Sequence, residues 1–97
     1  MTESNDLTKS ILDYLTTQGH YVWRQNVVGR IRGRKIGHKR GTPDVIGVMM
    51  SGKFIGVEIK VGADTQSDDQ KAFQAAVERR GGIYILAGSI DDVRKKI

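Results

Sequence analysis

Leu7, Ile11, Tyr14 and Leu15 recur at helical spacing and Gly19 closes the run, which predicts a first helix over about residues 5–18 with Ser4 or Asn5 as its N-cap. The period then changes. Residues 20–28 carry Tyr21, Val22, Trp23, Val27 and Val28, the aromatic and β-branched types that favour a strand. Because Tyr21 and Trp23 alternate with Val22 and Arg24, a core position for both rings is favoured over base stacking. Residues 29–42 are broken by Gly29, Gly33, Gly37 and Gly41 and hold few core-forming side chains, predicting an exposed, mobile loop. Residues 43–50 and 53–61 read as strands joined at Ser51-Gly52. Residues 67–80 read as a helix with Phe73, Ala76 and Val77 on one face, ended by Gly81-Gly82. A largely apolar strand over 83–87 and a short last helix capped by Ser89 complete an αβββαβα order. That order predicts an α/β (α+β) fold, a small mixed sheet with helices packed on it.

The chain has 97 residues, 38% of them hydrophobic, enough for one small core and not for two. A single domain over 1–97 is the expectation, and dimerisation is a natural way to add core. No apolar run approaches the roughly 18–20 residues of a membrane span, and the polar start Met1-Thr2-Glu3-Ser4 does not read as a signal peptide. There are no cysteines, hence no disulfide framework, Cys-based zinc site or thiol nucleophile. A reducing cytoplasm is the default location.

Charge changes the picture more than composition does. Sixteen Lys and Arg face eleven Asp and Glu, for a net +5, and no acidic residue lies between Asp13 and Asp44. Arg24, Arg30, Arg32, Arg34, Lys35, Lys39 and Arg40 fall in that interval. A polyanion is the partner such a stretch suits, since neutralised phosphates release counterions. No amphipathic apolar face accompanies it, which puts a membrane surface well behind nucleic acid. The bland alternative is a solvated charge run that aids solubility. Charge alone speaks for binding, not for cutting.

The chemistry lies on the third strand. Ile55, Val57, Ile59 and Val61 form a continuous apolar face, so Glu58 and Lys60 share the opposite one, about 7 Å apart along the strand. The meeting of Asp44 with Glu58 depends on the hairpin. A two-residue Ser51-Gly52 loop pairs Met50 with Lys53, sets Asp44 opposite Ile59 and buries an unpaired carboxylate. A three-residue loop Met50-Ser51-Gly52, with glycine in the left-handed position, pairs Met49 with Lys53 and sets Asp44 opposite Glu58. The second register avoids the buried charge and brings two acids and a lysine together. Two adjacent carboxylates call for a cation, and oxygen ligands select Mg²⁺ or Mn²⁺ over zinc. Such an ion would polarise a phosphoryl oxygen and lower the pKa of its water, with Lys60 stabilising the developing charge.

At these residues the chain resembles the PD-(D/E)xK nuclease superfamily, with its restriction-endonuclease-like αβββαβ core, and within it the virus-type replication-repair nuclease (VRR-NUC) family. Tyr21-Val22-Trp23-Arg24, Gly41-Thr42-Pro43-Asp44-Val45-Ile46-Gly47, Gly56-Val57-Glu58-Ile59-Lys60 and Gln70 followed by Phe73 carry the likeness. A lone ExK is a weak signal; the ordered set is a strong one. The resemblance implies that Asp44, Glu58 and the backbone carbonyl of Ile59 hold the metal, that Lys60 is catalytic and that Gln70 supports the site. It also implies a homodimer acting on branched DNA, as Holliday junction resolvases do, and a viral, host-cytoplasmic setting. The family places a glutamate on the first helix near the metal. Glu3 lies one residue off the usual spacing, a rotation of about 100° on a helix, and a favourable acid in the first turn is the competing reading.

Gln70 has its own alternative: Ser67-Asp68-Asp69-Gln70 is a capping box. His20 and His38 are far apart and without cysteine partners, so zinc is set aside, and no serine has a plausible His–Asp arrangement. The residues therefore predict a Mg²⁺- or Mn²⁺-dependent endonuclease on DNA. The rival is a small basic nucleic-acid-binding protein without catalysis, in which Glu58 and Lys60 are only a structural pair.

Overall fold

The computed structural model describes residues 3–25, 29–31, 34–36 and 39–97. Helix α1 (Glu3–Thr17) leads into strand β1 (Tyr21–Arg24), a two-stranded ribbon β2 (Gly29–Ile31) and β3 (Arg34–Ile36), and the hairpin β4 (Val45–Val48) and β5 (Phe54–Ile59). Helix α2 (Asp68–Arg79) crosses over to β6 (Ile83–Ala87), and α3 (Ile90–Lys96) follows. The main sheet has the order β1-β4-β5-β6, antiparallel except for the β5–β6 pair. The parallel pair requires a crossover, and α2 supplies it. Leaving the ribbon and α3 aside, this is the αβββαβ arrangement.

Alternation along β5 divides the molecule into two faces. Ile55, Val57 and Ile59 pack with Val45, Ile85 and Ala87 against Ile11 and Leu15 of α1 and Val93 of α3, all buried. At about 25 cal/mol per Å² of apolar surface removed from water, this layer dominates the stability. The other face carries Phe54, Gly56 and Glu58, with Tyr84 of β6 beside them, and α2 packs over its β6 side. Phe54 meets Phe73 of α2 at 6.2 Å between ring centroids.

The hairpin takes the three-residue loop. Val48 pairs with Phe54 and Val45 with Val57, the Met49 N–H donates to the Lys53 carbonyl at 2.8 Å, and Gly52 has φ +91°. That left-handed conformation is one an L side chain resists.

Three expectations need correction. Helix α1 begins at Glu3, so Ser4 and Asn5 lie inside its first turn; the Thr8 hydroxyl donates to the Ser4 carbonyl and Asn5 Oδ1 accepts from Arg24. Strand β1 stops at Arg24, and Val27 and Val28 fall outside the described residues. The basic stretch is not simply a loop, because Gly29 pairs with Ile36, Arg30 with Lys35 and Ile31 with Arg34. Two isoleucines around a central glycine, with two residues between the strands, is hairpin spacing, and the density of charge hid it. Among the described residues no helix is long and apolar enough to cross a membrane.

Candidate active site

Asp44 precedes β4, and the register that pairs Val45 with Val57 sets it directly opposite Glu58. Backbone bonds on both sides hold it there. Its carbonyl accepts the Gln25 N–H at 2.7 Å, and its Oδ2 accepts the Ile59 N–H at 2.8 Å. Pro43 before it is fully buried and lies against Gly56, where a Cβ would come within 2.8 Å of the proline ring. Gly41, at φ +79°, passes so close to the Asp69 carbonyl that a Cβ would collide with it. The chain entering β4 is thereby fitted against the N-terminus of α2.

Glu58 is 5% exposed. Burial, then the charge of Asp44 and a side-chain hydrogen bond with it, push the Glu58 carboxyl up to about 8, against the opposing pull of Lys60. The Lys60 ammonium lies 3.9 Å from Glu58 Oε2. Desolvation together with the like charge of Asp44 thus favours the protonated form of Glu58, and the Lys60 ammonium opposes them. Asp44, Glu58 and Lys60 are brought together as the hairpin argument requires.

The other site candidates lie as follows. Gln70 completes the capping box of α2: its Oε1 accepts the Ser67 N–H at 2.8 Å while its own N–H donates to Ser67 Oγ at 3.2 Å. Glu3 is exposed in the first turn of α1. Among the described residues no group of three His, Cys, Asp or Glu converges on a point, so the carboxylate pair stands without it. Of the basic residues, Arg24 is exposed and donates to Asn5 Oδ1. Lys39 and Arg40 are exposed, with Arg40 4.0 Å from Asp69. Arg30, Arg34 and Lys35 lie on the ribbon, and Arg32 falls outside the described residues.

Tyr84 was not singled out by sequence. It is 2% exposed, sits beside Gly56 on the face of Glu58, and accepts from Gln66 Nε2 at 3.3 Å. Gln66 Nε2 also reaches Gln74 Oε1 at 3.0 Å, so a polar chain runs from α2 to the floor of the site. Burial pushes the Tyr84 hydroxyl up to about 12, with the Gln66 bond opposing and Glu58 adding a smaller upward push. Its place in an apolar strand concealed it; the parallel register sets it opposite Gly56, on the face that carries Glu58. Tyr21 and Trp23 contradict the core expectation, being 76% and 42% exposed. Val22 is the β1 residue that packs against the core.

No protein-family model matches the chain, and no curated protein matches it. Among solved structures, one described as a VRR_NUC domain superposes with a TM-score of 0.71, covering 98% of this chain and 94% of that one at 21% identity. The chain shares the fold of that domain, and with it the restriction-endonuclease-like core.

Proposed function

We propose that this VRR_NUC-like fold is a divalent-metal-dependent endonuclease that hydrolyses phosphodiester bonds in DNA, acting as a homodimer on branched substrates. The observation that carries the reading is the buried Glu58 facing Asp44, with Lys60 at 3.9 Å. Two opposed acids, one pushed up by burial and by the charge of the other, fit a hard divalent ion. Asp44, Glu58 and the Ile59 carbonyl would hold Mg²⁺ or Mn²⁺, which when bound polarises a phosphoryl oxygen and acidifies a water.

The chain's own groups do the rest. The Ile59 N–H fixes the Asp44 carboxylate, and Tyr84 with Gln66 closes the floor of the site. Lys60 stands beside the reacting phosphate and stabilises the charge that develops there. Lys39, Arg40 and the cations of the ribbon supply sequence-independent attraction to the DNA backbone. Gln70 supports the site from the first turn of α2. The dimer, the branched substrate and a viral, cytoplasmic setting rest on the sequence resemblance.

The test is cleavage of labelled four-way junction, flap and linear duplex DNA in Mg²⁺, Mn²⁺ or EDTA, with Lys60→Ala as the contamination control. Paired symmetric cuts in the junction, lost in EDTA and in the variant, are expected. A second reading, a basic binding protein without catalysis, is favoured by the lack of a third metal-ligating side chain among the described residues and by the Glu58–Lys60 pair. It requires DNA binding that weakens smoothly with salt, needs no divalent ion and is never followed by cutting.

A further inference from the structure

The half of the sheet that α2 leaves uncovered carries aromatic groups in line with the carboxylate pair. On this face Tyr21 shares a row with Val48 and Phe54, and Trp23 with Ile46 and Gly56. The bond from the Gln25 N–H to the Asp44 carbonyl places Gln25 in the row of Asp44 and Glu58. Trp23 is thus one step, about 7 Å, along the strands from the row of the carboxylates. Tyr21 and Trp23 touch edge to face, with centroids 5.7 Å apart at 61°, and Trp23 Nε1 donates to Gln25 Oε1 at 2.7 Å.

An indole nitrogen only donates, so this bond fixes the Gln25 amide with its oxygen toward Trp23 and its NH₂ group at the other end. The indole's polar need is met by the residue that follows its own strand. What Trp23 and Tyr21 offer to the outside is π surface, and what Gln25 offers is a pair of donors.

We infer that Tyr21, Trp23 and Gln25 form a subsite for an unpaired nucleotide flanking the scissile phosphate, its base stacked on the aromatic pair and its phosphate or base edge accepting from Gln25. The placement relative to a scissile phosphate rests on the hydrolytic reading above; the base-binding surface does not. Stacking needs a free π-face, which a base inside a duplex does not present and an unpaired one does. The polyanion is favoured over a second copy of the chain by charge. The acid-free interval from residue 14 to 43 contains this strand and all seven cations that follow from Arg24 to Arg40, and a copy seated here would bring that interval against its own image.

Trp23 is the chain's single tryptophan, so its fluorescence reports the subsite directly. The full chain is titrated in EDTA, where no metal-dependent cutting occurs, with a single-stranded oligothymidylate and with a blunt duplex. Anisotropy of the labelled DNA is followed in parallel. Saturable quenching by the single strand and much less by the duplex is expected. Tyr21→Ala should weaken single-strand binding about tenfold and leave duplex binding nearly unchanged, whereas Trp23→Phe, which keeps a ring, should retain most of it. Gln25→Ala should weaken the same binding by a smaller factor. Circular dichroism checks that each variant is folded; the quenching experiment on the unaltered chain stands even where a variant is not. Single-strand binding seen by anisotropy with no change in Trp23 emission would overturn the subsite. So would an emission change that follows protein concentration without DNA and tracks dimer formation in sedimentation, since that assigns the patch to a second copy. Quenching without any metal-dependent cleavage would retain the subsite and remove the hydrolytic reading; cleavage without quenching would do the reverse.

Discussion

Asp44 and Glu58 oppose each other across β4 and β5, and the amide next to Glu58, that of Ile59, donates to the Asp44 carboxylate. The strand that brings the repelling acid thus also supplies the donor that holds its partner. A carboxylate that accepts a backbone N–H is kept in one orientation, which a binding or catalytic site needs.

Asp44→Asn tests charge separately from shape. The amide oxygen can still accept the Ile59 N–H, so the thermal midpoint should change little while cleavage falls to background. Lys60→Ala should lower turnover by about 10²–10³-fold, the scale of losing one group that stabilises transition-state charge. Single-turnover rates at saturating metal measure both, and normal cutting by either variant would refute the site assignment.

Stability should depend on pH through Glu58. Its carboxyl titrates at about 8 in the folded chain against an ordinary 4.5. Between these values the folded state holds a proton that the unfolded state has released, so stability falls as pH rises. The contribution is complete below about pH 4.5 and lost above about pH 8. Urea unfolding in EDTA should give a lower midpoint at about pH 8.5 than at about pH 5.5, and Glu58→Gln should flatten that difference. Added Mg²⁺ should stabilise the unaltered chain more at the higher pH, because metal binding and protonation compete. An unchanged slope in Glu58→Gln would assign the pH dependence elsewhere.

The hairpin register depends on a left-handed residue. Gly52 has φ +91° and nothing within 4 Å of where its Cβ would be, so Gly52→Ala isolates backbone strain. The expected loss is about 1–2 kcal/mol, read from urea midpoints with unchanged m-value.

Gln70 can be separated from its cap. Ser67→Ala removes the reciprocal hydrogen bond at the start of α2 and should cost about 1 kcal/mol with cleavage retained. Gln70→Ala should cost a similar amount and, in addition, slow cleavage if the side chain supports the site. Equal stability loss with equal cleavage in the two variants would leave Gln70 as a cap alone.

The register was legible in the sequence because one of its two alternatives buries Asp44, and the penalty for an unpaired buried carboxylate decides between them. The two capped helices were legible for a similar reason: Ser67 and Ser89 each satisfy amide groups that have no other partner. Tyr21 and Trp23 were misplaced because alternation tells which residues share a face but not which face is covered. α2 sits over the β6 side, and no local signal in β1 reports that. The β2–β3 ribbon was hidden because pairing between backbones leaves little trace in side chains chosen for charge. Tyr84 needed the parallel β5–β6 register, which arises from a crossover and not from a turn that can be counted.

Asp44 links three strands, through its carbonyl to Gln25 at the end of β1 and through its carboxylate to Ile59 of β5. Any ion attracted to the carboxylates therefore pulls on a side chain that is also a seam of the sheet. The amide protons of Gln25 and Ile59 become reporters of occupancy, their exchange slowing as the seam tightens. A centre built for charge is, in this chain, also a clasp between backbones, and filling it would be felt in the backbone of the edge strand β1 as well as at the carboxylates.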